Sequence, residues 1–106
     1  MNISSTVNSL AALAQESRLS IFRLLVRSAP NGLPAGTIAK KLKLPGPTLS
    51  FHLNVLAAAE LITASKNGRS ISYFANLERV GQLTEFLLEN CCGGHGCGPA
   101  PPKGQR

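Results

Sequence analysis

Four prolines between positions 30 and 47, Pro30, Pro34, Pro45 and Pro47, constrain this chain more tightly than any other feature. Proline locks its own φ, has no N–H to donate and disfavours helical geometry in the residue before it, so no helix runs unbroken through this region. Pro30 disfavours helix at Ala29, and "PNG" supplies a turn. Pro34 suits a first-turn position, after which Ile38, Ala39 and Leu42 repeat at helical intervals until Pro45 and Gly46 stop the helix. Pro47 opens the next helix, where Leu49, Leu53, Leu56 and Glu60 share one face. The expectation is a short helix of about two turns, a turn of a few residues and a longer helix, which is a helix-turn-helix.

The other faces of the longer helix carry Thr48, Ser50, Phe51, Asn54 and Val55, with no carboxylate before Glu60. DNA phosphates would repel carboxylates there, so this composition suits a recognition helix. Charge along the chain agrees. Of a formal net charge of +6, the stretch from Arg18 to Arg69 holds eight basic residues against Glu60 alone, whereas Ser70 to Cys97 holds Glu78, Glu85 and Glu89 against Arg79. A localised basic block is the electrostatic footprint of a polyanion-binding face. The alternative, a solvated basic surface that maintains solubility, stays open at this point.

Around this unit the pattern is again legible. With 106 residues and 5% aromatics, the chain is expected to be one domain with a thin core. Ile3, Val7, Leu10, Ala11 and Ala14 repeat at helical spacing, yet Met1 to Gln15 carries no charged side chain. Such a helix is expected to pack against another chain or against the last helix. Ser17 is the expected cap of a second helix, "SRLSIFRLLVRS". Further on, alternating residues surround Asn67-Gly68, which predicts a two-stranded hairpin closed by a type I′ turn with Lys66 and Arg69 beside its tip. A basic-tipped hairpin directly after a helix-turn-helix is a wing. Asn76 is the expected cap of a last helix bearing Leu77, Val80, Leu83, Leu87 and Leu88. The expected architecture is mainly α with a small β-hairpin, a winged helix-turn-helix that forms a homodimer through its first and last helices. No apolar segment is long enough to span a bilayer, and "MNISSTVNSLAALAQ" lacks the basic start of a secretory signal, so no membrane association and a cytoplasmic location are expected.

Residues 1–90 hold this winged-helix and dimerisation unit, and residues 91–106 are expected to form a flexible Cys/Gly/Pro tail. All three cysteines of the chain, Cys91, Cys92 and Cys97, lie there together with His95. In a reducing compartment such a cluster more often binds metal or carries redox chemistry than forms a disulfide framework. Soft thiolates select thiophilic ions.

The segments "ESRLSIFRLL", "TLSFHLNVLAAAELI" and "NGRSISYFANL" resemble the ArsR/SmtB family of metal-sensing bacterial repressors, over nearly the whole chain up to Asn90. The combination of "S-x-HL-x-VL" with a wing containing "GR" and a later Tyr carries the likeness. The resemblance implies a homodimeric repressor that binds an imperfect operator palindrome and leaves it when an inducer binds. Arsenic-sensing members often carry Cys-x-Cys in the helix before the recognition helix, but "LPAGTIAKKL" has no cysteine; zinc-sensing members carry Asp and His on the last helix, but "LERVGQLTEFLLEN" has neither. The tail "NCCGGHGC" resembles instead a subgroup of arsenite-responsive repressors with a vicinal cysteine pair just after the last helix and a third cysteine a few residues on. That likeness implies that Cys91, Cys92 and Cys97 bind the inducer, trivalent arsenic or antimony, with no other cofactor required.

Trivalent arsenic favours three sulfurs in a pyramid, and Gly93, Gly94 and Gly96 let Cys97 fold back to the vicinal pair. Zinc, or cadmium, is the alternative: zinc requires a tetrahedron to which His95 would contribute, and adjacent cysteines are unlike the usual C-x2-C spacing. A redox-sensing or structural tail is the remaining reading. Enzymatic use of the dithiol is disfavoured, because no nearby Lys or Arg lowers a thiol pKa and no phosphate-cradling loop precedes the pair. For DNA, the candidates are Pro47, Thr48, Ser50, Phe51 and His52 on the recognition helix and Lys66 and Arg69 in the wing. Thr48 and Ser50 can donate to bases or phosphates, Phe51 can pack on a thymine methyl, and the wing cations suit the minor groove or backbone. His52 lies toward the inner side, where a structural hydrogen bond competes with DNA contact. Lys40, Lys41 and Lys43 are phosphate-contact candidates or a solvated face. The family usually has a polar or basic residue where Phe51 stands.

Overall fold

A computed structural model describes residues 1–90, as α1 (Ile3–Leu13), α2 (Glu16–Arg27), β1 (Leu33–Pro34), α3 (Ala35–Leu42), α4 (Gly46–Ala58), β2 (Ile62–Asn67), β3 (Ser70–Ala75) and α5 (Leu77–Leu88). The expected tail over 91–106, with Cys91, Cys92, His95 and Cys97, lies outside the described residues. The core joins Ile21, Phe22 and Leu25 of α2 to Ile38 of α3, Leu49, Leu53 and Leu56 of α4, and Leu61 and Ile62 at the start of the hairpin. Phe22 is the one aromatic among its buried members, so close packing of branched aliphatics carries the stability.

Each helix start and stop has a local cause. The Asn2 side chain accepts from the Ser5 N–H at 2.8 Å while the Ser5 hydroxyl accepts from the Asn2 N–H at 3.1 Å, a reciprocal cap for α1. On α2 the cap is Gln15, whose side-chain oxygen accepts from the Arg18 N–H at 2.9 Å; Ser17, the expected cap, lies inside the first turn. Helix α3 begins one residue after Pro34, which serves as its cap position and also pairs in β1. It ends before Pro45 is reached, because Lys43 turns left-handed at φ 55° and the Leu44 N–H bonds back to the Ala39 carbonyl at 3.0 Å.

Helix α4 ends in the same manner. Glu60, expected on the apolar face, takes φ 62° beyond the helix; its N–H reaches the Ala57 carbonyl at 2.9 Å, and the Leu61 N–H reaches the Leu56 carbonyl at 3.0 Å. This is a Schellman-type stop, completed by Leu56 and Leu61, both wholly buried. A left-handed, non-glycine residue is therefore what lets Leu61 turn into the core and start the wing.

The wing is three-stranded, not two-stranded, in the order β1-β3-β2. Leu33 pairs with Tyr73 and Pro34 with Ser72, an edge that two residues cannot announce in sequence. Gly32 makes that pairing possible: its φ is +71°, and a Cβ would sit 2.5 Å from the Phe74 ring and 2.7 Å from the Tyr73 carbonyl oxygen. At the other end Asn67 pairs with Ser70, so the turn residues are Gly68 and Arg69, one position later than expected. Positive φ falls on Gly68 (66°) alone of these, which fits the type II′ pattern with glycine first and not type I′.

Helix α1 packs on α2, α4 and α5, but through Thr6, Ser9 and Ala12. Its apolar stripe points away: Ile3 is 70% exposed, and Val7 and Leu10 are exposed with it. Contact with the last helix, one of the two expected roles, thus leaves the stripe uncovered. On α5 Leu83 is buried, while Leu77, Leu87 and Leu88 are exposed. Among the described residues no helix is long and apolar enough to cross a membrane.

Candidate nucleic-acid interface

Burial of Leu49, Leu53 and Leu56 against α2 and α3 orients α4, and everything else on the helix follows from that anchor. Pro47, Thr48, Ser50, Phe51 and Asn54 are exposed. Phe51 is 60% exposed, which is unusual for a ring on a helix whose opposite side is fully packed. Gly46 and Pro47 occupy the first two helical positions, where a missing N–H costs nothing.

His52 does not belong with this exposed set. It is only 8% exposed, and its Nδ1 lies 3.3 Å from Nη1 of Arg18. A guanidinium can only donate, so Nδ1 is the acceptor in this contact. The same Arg18 donates from Nε to the Ala12 carbonyl at 2.7 Å, which ties α1, α2 and α4 together. Burial thus favours, of the two readings open for His52, the structural hydrogen bond, and it gives Arg18 of the basic block a bracing role. The His52 ring meets the Phe51 ring edge-on, with centroids 5.5 Å apart and planes at 61°.

The wing leaves α4 through Leu61 and carries its cations outward. Lys66 stands four residues along β2 from buried Ile62, about 13 Å at strand rise, and Arg69 occupies the second turn position. Both are exposed, as are Lys40, Lys41 and Lys43 around the end of α3. Exposed cations thus lie to both sides of α4 along the chain, on α3 before it and on the wing after it. Asn54, exposed one turn beyond Phe51, is a further surface residue of this face that spacing alone marks only as lying off the apolar stripe.

One residue knits the recognition helix to α5. Asn76 accepts the Arg79 N–H at 3.3 Å as the cap of α5, donates from Nδ2 to the Glu60 carbonyl at 2.9 Å, and donates its own N–H to the Leu61 carbonyl at 2.9 Å. The start of α5 is therefore bonded directly to the closing turn of α4. Among the described residues no group of three or more His, Cys, Asp or Glu side chains is placed to hold a metal ion.

A winged helix-turn-helix with an uncharged exposed recognition face defines a class of transcriptional regulators, and comparison with known proteins places the chain within it. A family model described as a helix-turn-helix domain matches residues 13–63. An uncharacterised helix-turn-helix transcriptional regulator of Methanocaldococcus jannaschii is 35% identical over 79 residues, 74% of this chain and 85% of that protein. The transcriptional repressor SdpR of Bacillus subtilis is 33% identical over 81 residues, 76% of this chain and 87% of SdpR. Among solved structures, an ArsR-like transcriptional regulator from Rhodococcus sp. RHA1 superposes with a TM-score of 0.71 at 27% identity, covering 79% of this chain and 76% of that one. The chain belongs to the ArsR family of winged-helix transcriptional regulators. Its relatives are regulators, not enzymes.

Proposed function

We propose that this regulator is an arsenite-responsive repressor: a homodimer that holds operator DNA through α4 and the wing, and releases it when trivalent arsenic or antimony binds Cys91, Cys92 and Cys97. The observation that carries the reading is positional. The chain's only three cysteines begin three residues after the end of α5, the helix whose cap Asn76 is bonded to the last turn of α4. The donor set fits a thiophilic ion that takes three sulfurs, and when bound it would supply a three-thiolate cross-link of the segment following α5. The exposed stripes Ile3, Val7, Leu10 on α1 and Leu87, Leu88 on α5 supply the self-complementary apolar surface that a two-fold dimer needs. Within each subunit, displacement of α5 relative to that surface pulls on the Asn76 bonds to Glu60 and Leu61, so α4 follows. Allosteric release then needs a coupling of about 1–3 kcal/mol, or roughly 5- to 150-fold in DNA affinity.

The test is fluorescence anisotropy of the reduced full chain on a duplex from upstream of its own coding sequence, titrated separately with arsenite, antimonite, zinc and cadmium. Expected are binding that weakens steeply with salt and release by arsenite or antimonite at stoichiometric levels. The double variant Cys91→Ser, Cys92→Ser should bind DNA equally well and ignore arsenite; release that persists in it overturns the assignment. Release by zinc or cadmium alone would favour the four-donor reading that includes His95.

A further inference from the structure

We propose that Phe51 and Asn54 form a reading pair for A·T base pairs in the major groove, Phe51 packing on the thymine C5-methyl and Asn54 bonding the adenine edge. This rests on the DNA-binding reading above and specifies which side chains discriminate between bases.

Three observations carry it. First, the two residues lie three apart on the face opposite Leu49, Leu53 and Leu56, both exposed. Three residues advance about 4.5 Å along a helix, against about 3.4 Å per base pair of DNA, so the pair spans one base pair or two neighbours. Second, beyond the short hydroxyls of Thr48 and Ser50, the helix lacks the charged side chains that read the other bases. From Gly46 to Ala58 there is no Arg or Lys to fork onto guanine and no Asp or Glu to accept from cytosine. What remains outward and large enough to reach a base edge is an aromatic ring and a carboxamide, the two groups that suit a methyl and an N6/N7 donor–acceptor pair.

Third, the ring has a fixed neighbour. The Phe51 and His52 ring centroids lie 5.5 Å apart with their planes at 61°, His52 is buried, and Arg18 lies 3.3 Å from its Nδ1 while donating to the Ala12 carbonyl. An exposed phenyl group that already packs against a buried, hydrogen-bonded ring loses less rotamer freedom on docking than a free one. A 60% exposed Phe is then a preformed contact.

The experiment uses the full chain. A site is selected from random duplex DNA, and each thymine in it is replaced singly by deoxyuridine, which deletes the methyl and nothing else. Expected is one position per half-site where the replacement weakens binding about three- to fivefold, the worth of one methyl group removed from water. That sensitivity should vanish in Phe51→Ala and persist in part in Phe51→Leu. Asn54→Ala should cut the preference for A·T over G·C at the same or the adjacent pair by tenfold or more. Uniform indifference to deoxyuridine in the unaltered protein overturns the proposal even where DNA binding is intact. Selection of no site at all would overturn the DNA-binding reading with it. Since the deoxyuridine series needs no variant, misfolding cannot mask the result.

Discussion

Helices α1 and α4 have eleven and thirteen residues and touch each other, yet they present opposite chemistries to their surroundings. Helix α4 buries Leu49, Leu53 and Leu56 and shows Ser50, Asn54 and a single aromatic. Helix α1 buries Thr6, Ser9 and Ala12 and shows Ile3, Val7 and Leu10. The same amphipathic periodicity therefore means the chain's own core in one case and a surface awaiting cover in the other. Small inward residues on α1 allow a close approach to α2 and α4. The apolar stripe left outside is the type of surface that marks association with another chain. One helix holds the fold together and leaves a largely polar face outside; the other fits the fold by being thin and leaves its hydrophobicity outside.

Substitutions on the two helices sharpen this contrast. The largest expected effect is Leu56→Ala, which removes a wholly buried side chain at both the core and the Schellman stop of α4 and should lower unfolding free energy by about 2–5 kcal/mol in urea. A loss below about 1 kcal/mol would mean that α4 is not the anchor described. Next is Val7→Asp on the exposed stripe of α1. It should raise the dimer dissociation constant tenfold or more in sedimentation equilibrium, because a charge is carried into an apolar interface. An unchanged mass distribution would leave that stripe merely solvent-facing. The smallest is Ser9→Ala. The Ser9 hydroxyl is buried with no hydrogen-bond partner among the described residues, so removal should be neutral or stabilising by up to about 1 kcal/mol. Destabilisation there would show that the hydroxyl has a partner after all.

Legibility followed the range of the forces involved. Prolines, helical repeats and the Asn76 cap act within a few residues, and the helix-turn-helix, the wing and the last helix were all readable from them. Errors clustered where the deciding contact is distant or where two local solutions compete. Ser17 is the cap expected from residue type, but the helix starts earlier, and Gln15 caps it by reaching the Arg18 N–H. Asn67 looked like a turn residue, but pairing with Ser70 pushed the turn onto Gly68 and Arg69. The edge strand β1 exists because Gly32 admits the Phe74 ring, a contact spanning some forty positions that no window of sequence contains. In the interface, Pro47, Thr48, Ser50, Phe51, Lys66 and Arg69 are exposed, while His52 is tied to Arg18 by a bond between residues 34 apart in sequence, a partner that no local pattern names.

Element order, the basic block and the soft-ligand cluster are properties of residue type and spacing, so they could be read before any coordinates existed. Which face of α1 is inward, where α4 stops, and which of its polar residues remain free for a partner depend on what each side chain meets. Burial is a property of the folded whole: a stripe of Ile, Val and Leu says that something apolar must cover it, and packing alone says whether that cover comes from the same chain.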